Sequence, residues 1–169
     1  MEGPLPEVDP ASFSSPFVQR MTKVAMSKPG TWFYMNVGAR IDPFLMRVSR
    51  GRVDSGLGLM PVCVLTVKGA KSGIERRIQL VYFTDDGDPI LMASSFGRPK
   101  HPAWYHNVKA ASSVSLEAGG RSGRYRAVET EGAERERLYE LAKQIYAGYG
   151  IYEQRASAVG RTVPVLRMK

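Results

Sequence analysis

The chain has 169 residues, enough for one domain that buries a core without staples. An apolar fraction of 43% beside 24% charged residues excludes a largely disordered chain. A net charge of +8 points to an anionic partner, with membrane surface, nucleic acid and acidic small molecules all still open.

The single cysteine, Cys63, excludes an intrachain disulfide. With His101 and His106 as the only imidazoles, no zinc cluster is recognisable. Cys63 lies in an apolar run and reads as a buried, inert thiol. The N-terminus carries Glu2, Glu7 and Asp9 among Pro4, Pro6 and Pro10, unlike a signal peptide. The longest nearly apolar stretch, 56–67, is about twelve residues, short of the roughly twenty of a spanning helix. A cytoplasmic location, with the inner face of the cell membrane as an option, is the expectation.

In chain order, residues 1–14 are rich in Pro, Ser and acids and are expected to form a flexible arm, leaving 15–169 as one domain. Ser15-Pro16 opens an amphipathic helix through Phe17, Val18, Met21, Val24 and Ala25, ended by Pro29-Gly30. An apolar cluster at 31–35 and a short helical run from Asp42-Pro43 follow, then a glycine-rich loop over 50–58. Strands are expected over 62–67, 78–84, 89–94, 113–117 and 125–130, with Asp85-Asp86-Gly87-Asp88 and Ala118-Gly119-Gly120-Arg121 as hairpin turns. A helix over 101–110 separates the third and fourth strands. Another spans 131–146, with Thr130 as its cap and Leu138, Leu141, Ala142 and Ile145 as its apolar stripe. A last strand covers 163–167. Strands joined mostly by hairpins, with helices flanking them, imply a mainly β chain folded as an antiparallel barrel rather than a doubly wound sheet.

Three constellations could carry chemistry. The loop Lys68-Gly69-Ala70-Lys71-Ser72-Gly73-Ile74-Glu75-Arg76-Arg77 sets four cations beside two glycines and a serine, which suits phosphate or a carboxylate tail. It lacks P-loop spacing, and no Gly-x-Gly-x-x-Gly follows a strand, so ATP and NAD bound in the usual ways are disfavoured. The run 93–107 leaves a strand through Ala93, Ser94 and Ser95 and enters a helix at Pro102, gathering hydroxyls and free N–H groups at a positive helix end. It reads equally as a plain strand-to-helix loop with Trp104 as a core anchor. Tyr146, Tyr149 and Tyr152 recur at a spacing of three, with Gly148 and Gly150 marking a helix end or mobile loop. Phenols so placed can stack on a flat ligand and donate a proton, or simply pack over the barrel mouth.

Taken in order, Thr66-Val67-Lys68-Gly69-Ala70-Lys71-Ser72-Gly73, Leu80-Val81-Tyr82-Phe83, Pro102-Ala103-Trp104-Tyr105-His106-Asn107, the spaced tyrosines and Val163-Pro164-Val165 resemble the deazaflavin-dependent nitroreductase family. The likeness runs from about Trp32 to the C-terminus. It implies a split β-barrel of the FMN-binding type and an oxidoreductase that uses reduced F420. It also implies roles: Lys71, Ser72 and Arg76 or Arg77 at the cofactor's phosphate and glutamyl tail, and Ala93, Ser94, Ser95, Lys100, Ala103 and Trp104 along the deazaflavin. Tyr149, with Tyr146 and Tyr152 beside it, is implied on the acceptor side. Ala70 and Phe96 depart from residues familiar in relatives, which bears on tail affinity and pocket shape.

The implied reaction is hydride transfer to a flat, electron-poor small molecule: a quinone, an activated enone or a nitroaromatic. An FMN- or haem-binding split barrel and a carrier of F420 without turnover stand as alternatives. Nucleic acid is not expected as a partner, because aromatics are not interleaved with the basic residues and no helix-turn-helix is apparent. The chain is expected as a monomer or weak dimer, with peripheral membrane contact through the helix at 15–28 as a further option.

Overall fold

The computed structural model describes residues 2–13 and 60–169. The helix expected from Ser15, the cluster at 31–35, the run from Asp42 and the loop over 50–58 lie outside the described residues, and with them the expected membrane contact.

Among the described residues, seven strands form a single antiparallel sheet: β1 (Val62–Lys68), β2 (Glu75–Asp85), β3 (Asp88–Met92), β4 (Val114–Ala118), β5 (Arg121–Tyr125), β6 (Ala127–Glu129) and β7 (Val165–Met168). Their order is β5-β4-β1-β2-β3-β7-β6. The two ends of that order, β5 and β6, are consecutive in the chain with only Arg126 between them. The strand expected over 125–130 corresponds to β6, whereas β5 adds a strand to those expected, starting at Arg121 inside the expected turn; the chain bends at Arg126 and passes from β4 to β7 as its neighbour, bringing the sheet round into a nearly closed barrel. Arg126 and Lys169 exchange two backbone hydrogen bonds at that corner, of 2.6 and 2.9 Å. The split-barrel architecture implied by the resemblance is the one observed.

The hairpins follow from turn chemistry. Asp85 pairs with Asp88 across a two-residue turn in which Asp86 and Gly87 both have positive φ, 52° and 81°, the geometry whose twist matches the strands. Alternation decides what each strand face does. Cys63, Leu65 and Val67 of β1 point into the barrel with Val114 and Leu116 of β4, Leu91 of β3 and Leu166 of β7. Burial pushes the Cys63 thiol up to about 12, so it stays protonated and inert. β3 and β7 bury residues on both faces, because Ile90, Met92 and Val165 leave the barrel for a second core beneath two helices, α2 (Gly132–Ile145) and α3 (Gly148–Ser157), while Arg167, on the same face as Val165, pairs with Asp85, Asp88 and Glu134. The third helix, α1 (Ala103–Ala110), packs Trp104 and Val108 against the barrel core.

Three expectations need correction. Residues 2–13 are not a loose arm: Leu5 is buried at the barrel, and Gly3 N–H donates to the Ser122 carbonyl at 3.0 Å. Val8 exchanges backbone and side-chain bonds with Thr84, and a 3-10 turn at Pro10–Phe13 lies on α2. The prolines that suggested looseness set up an extended segment that the barrel then pairs. Thr130 does not cap α2, since its hydroxyl donates to the Val165 carbonyl at 3.2 Å and Glu131 occupies the cap position. The tyrosine segment does hold a helix end, since α2 stops at Ile145 with Tyr146 as its C-cap, but it is not a loop: α3 starts at Gly148 and carries Tyr149 and Tyr152 within it. Gly148 is needed at its start because a Cβ there would lie 2.4 Å from the Tyr146 ring.

Candidate functional site

The three spaced tyrosines come together. Tyr146 and Tyr149 meet edge to face with ring centroids 5.3 Å apart, while Tyr152 lies 5.8 Å from Tyr146 and 6.1 Å from Tyr149. The Tyr146 and Tyr152 hydroxyls share a hydrogen bond of 2.9 Å. One phenol donates to the other, so the pair keeps one proton for a third partner. Burial pushes the Tyr146 and Tyr149 phenols well above the usual tyrosine range, and the Tyr152 hydroxyl bond adds to the effect at Tyr146. Both are therefore protonated donors at any working pH and not bases. Tyr149 sits at the centre of the cluster with only 6% of its surface exposed, and its carbonyl accepts a bond from the Tyr139 hydroxyl at 3.0 Å. Tyr146 and Tyr152 are half-buried and form the reachable side.

Against this cluster lies the 3-10 turn Ser95–Gly97 that follows β3. Ser95 and Phe96 have φ of 50° and 57°, and Gly97 has 74°. Three left-handed residues in succession are rare, and two of them are not glycine. The Phe96 ring meets Tyr152 edge-on at 5.6 Å and is 59% exposed. Gly97 touches α3 so closely that a Cβ would stand 2.7 Å from the Tyr152 carbonyl oxygen. The segment is held from beneath by Arg161, which is 7% exposed: its Nη2 donates to the Ser94 carbonyl at 2.6 Å, and its Nη1 to the Ala93 carbonyl at 3.4 Å. The same Nη1 lies 3.1 Å from His101 Nδ1.

From Pro102 the chain enters α1. Its first-turn N–H groups have no intrahelical acceptor, so Ala103 and Trp104 present donors at a positive helix end. The Trp104 side chain is spent on the barrel core, the anchoring role open to it in the sequence. Ala93 is fully buried; its N–H donates to the Pro164 carbonyl at 3.0 Å and its carbonyl accepts from Arg161, so it shapes the segment without offering a polar group. Ser94 and Ser95 are half-exposed and Lys100 is exposed.

At the far end of α1, Asn107 Oδ1 accepts the Ala70 N–H at 3.0 Å, which ties the basic loop to the helix. Within that loop the Gly69 N–H donates to Ile74 and the Ser72 hydroxyl accepts from the Ile74 N–H, closing a tight turn that leaves Lys71 exposed. Arg76 and Arg77 separate by strand alternation. Arg77 faces outward and pairs with Glu117 at 3.0 Å, whereas Arg76 is opposite Val67, a residue of the barrel-facing set. Arg76 therefore lies on the side where α1 packs, and it has no ion pair among the described residues.

Sequence reasoning missed two residues here, Arg161 and Asn107. Asn107 stood in a quoted motif but carried no recognisable signal for loop anchoring. Arg161, in Gly-Arg-Thr, carries no local motif.

The sequence profile of the F420H(2)-dependent quinone reductase family matches residues 38–168. An F420H(2)-dependent quinone reductase of Mycobacterium tuberculosis (strain H37Rv) is 30% identical over 142 residues, covering 80% of this chain and 93% of the relative. A solved F420-H2 dependent reductase (FDR-A) superposes with a TM-score of 0.58 at 37% identity, over 64% of this chain and 94% of its own. A second solved chain, a domain-swapped dimer, gives 0.60 at 32% identity, over 78% of this chain and 98% of its own.

Proposed function

From its membership of the F420H(2)-dependent quinone reductase family, we infer that the chain is an oxidoreductase that uses reduced F420, with a flat, electron-poor small molecule as hydride acceptor. A quinone is the favoured acceptor, with activated enones and nitroaromatics as further candidates. The observation that carries the site assignment is one continuous segment. Residues 93–107 touch the tyrosine cluster at one end, through Phe96 and Gly97, and the basic loop at the other, through Asn107.

The donor set fits the cofactor. An exposed cationic turn beside a positive helix end suits an anionic tail, with Lys71, Ser72 and Arg76 holding it in our reading; Arg77, paired with Glu117, is the weaker candidate. Ser94, Ser95, Lys100 and the N–H groups of Ala103 and Trp104 would then line the ring system, over a floor shaped by Ala93. When bound, reduced F420 supplies a hydride from its C5 carbon. The protein's own task is to place the acceptor, keep water away and supply a proton. Phe96 and the tyrosine rings offer the flat apolar wall. The hydroxyl pair of Tyr146 and Tyr152 has one proton left to donate to an acceptor oxygen as negative charge builds there. Tyr149, though implied as the leading catalytic residue, is enclosed by its neighbours, and its burial favours a role as the prop that sets the other two rings.

A monomer or weak dimer acting at the cytoplasmic side remains our proposal for the assembly and location. Among the described residues no helix is long and apolar enough to cross a membrane.

The test is a fluorescence titration of the purified protein with F420 and, separately, FMN, followed by oxidation of reduced F420 with menadione. Micromolar or tighter F420 binding with menadione-dependent oxidation is expected. Preference for FMN would overturn the cofactor reading, and F420 binding without oxidation by any quinone would leave a carrier.

A further inference from the structure

Arg161 has more hydrogen-bonding reach than any ordinary loop anchor requires. One guanidinium contacts Ala93 and Ser94 at the start of the turn and His101 at its end, so it spans the whole loop between β3 and α1. No carboxylate meets it among the described residues, and its Nε is buried with no hydrogen-bond partner there. Burying a cation without a counter-charge is costly, and tying carbonyls alone needs only a neutral donor. The loop it spans holds the left-handed sequence Ser95, Phe96 and Gly97. Such a backbone persists only where its surroundings over-determine it. Here α3 presses on Gly97 from one side and Arg161 fixes the carbonyls on the other.

We propose that Arg161 is a positioning residue for cofactor binding. It clasps Ala93, Ser94 and His101 so that the turn 94–98 is held ready for the deazaflavin ring, and it sets positive charge beneath a ligand that is itself anionic. The proposal rests on the assignment of residues 93–104 to the cofactor. His101 must accept from Arg161 through an unprotonated Nδ1, which fixes the tautomer with its proton on Nε2. Burial and the Arg161 charge, together with His106 nearby, hold its imidazole below the ordinary range, against the opposing pull of Glu129; Tyr105 packs on its ring.

The experiment uses Arg161→Lys, which keeps the charge but cannot span the three acceptors, and Arg161→Gln, which keeps a neutral donor. In ligand-free protein, the amides of Gly97 and Arg98, which donate to the Ser94 and Ser95 carbonyls, should exchange at least about tenfold faster in both variants, with the β1, β2 and β4 amides unchanged. The F420 Kd should rise about tenfold in the lysine variant and further in the glutamine variant, as for loss of charge-assisted bonds. KM for reduced F420 should rise in step while kcat at saturation and KM for menadione hold, a split that general destabilisation would not produce. Wild-type F420 affinity in both variants would overturn the proposal, as would exchange that accelerates uniformly across the barrel. If both variants fail to fold, His101→Ala releases only the far end of the clasp; faster exchange at Gly97 and a weaker F420 Kd would support the proposal, and an unchanged Kd would overturn it. Failure of the wild-type protein to bind F420 would instead remove the cofactor assignment, and the exchange measurement on ligand-free protein separates the two outcomes.

Discussion

Gly97→Ala is the sharpest test of how the turn and α3 meet. At Gly97 two penalties coincide. Its φ of 74° lies in the left-handed region, which costs an alanine about 1 kcal/mol. Its new Cβ would also stand 2.6 Å from Arg155 Cβ, 2.7 Å from the Tyr152 carbonyl oxygen and 3.1 Å from Tyr152 Cα, all well inside contact distance. None of these atoms is the end of a flexible side chain, so the turn itself must withdraw from α3, an overpacking cost of about 1–3 kcal/mol. Gly87→Ala is the matched control, because Gly87 has a φ of 81° but nothing within 4 Å of its would-be Cβ. Urea unfolding should therefore show a loss of about 3 kcal/mol for Gly97→Ala against about 1 kcal/mol for Gly87→Ala, with m unchanged in both. Withdrawal of the turn also separates Phe96 from Tyr152, so F420 affinity should fall in the first variant and hold in the second. Equal stability losses in the two variants would refute the close packing of the turn against α3.

Three further outcomes are expected. Asp85 accepts a forked pair of 2.7 Å bonds from Arg137 and one of 2.6 Å from Arg167, and the Arg137 bonds lead in holding its carboxyl down to about 2. The depressed value makes its stabilisation, about 2 kcal/mol, complete above about pH 4 and lost as pH falls toward 2; urea unfolding across that window should be flatter in Asp85→Asn. Lys71→Ala should weaken F420 binding more at low salt than at high, and an affinity that ignores both the substitution and the salt would detach the basic loop from the cofactor. Tyr152→Phe should lower kcat about tenfold or more by removing a donor from the hydroxyl pair, whereas Tyr149→Phe should cost less; the opposite ranking in menadione turnover would restore Tyr149 as the donor.

Most strands were legible because they carry their own evidence: β-branched and aromatic runs of the right length, with Asp86-Gly87 and Gly119-Gly120 supplying the positive φ that tight hairpins demand; β5, Arg121–Tyr125, was not, because Arg-Ser-Gly-Arg-Tyr has no β-branched residue. Barrel closure was less legible, since nothing in Tyr125-Arg126-Ala127 announces that a single extended run changes partners at its middle residue. Composition misled at the N-terminus, where Pro and acids suggested looseness although Leu5 and Pro10 are buried. Glycine was half right in the tyrosine segment. Gly148 does mark a helix boundary, but a second helix starts there at once, with Gly148 where the Tyr146 ring occupies the space of a side chain, and Gly150 lies within it. Arg161 left no trace at all: the carbonyls it bonds lie 67 and 68 residues earlier in the chain, and no local pattern encodes that distance.

The two faces of β3 explain why these distant pieces meet. Leu91 and Ala93 belong to the barrel core, whereas Ile90 and Met92 belong to the core under α2 and α3. A strand committed on both faces cannot shift toward one core without opening the other, so its end is fixed relative to the barrel and to the helices at once. The turn at 95–97 leaves from that end. It meets the tyrosines because α3 is packed on the outer face of the same strand, and it leads into α1 because α1 is packed on the barrel. The basic loop depends on the barrel side through Asn107, and the tyrosine cluster meets the turn from the helix side through Tyr152. The left-handed turn is where the two dependences join, which is why its strain is concentrated there and why a buried arginine is placed under it.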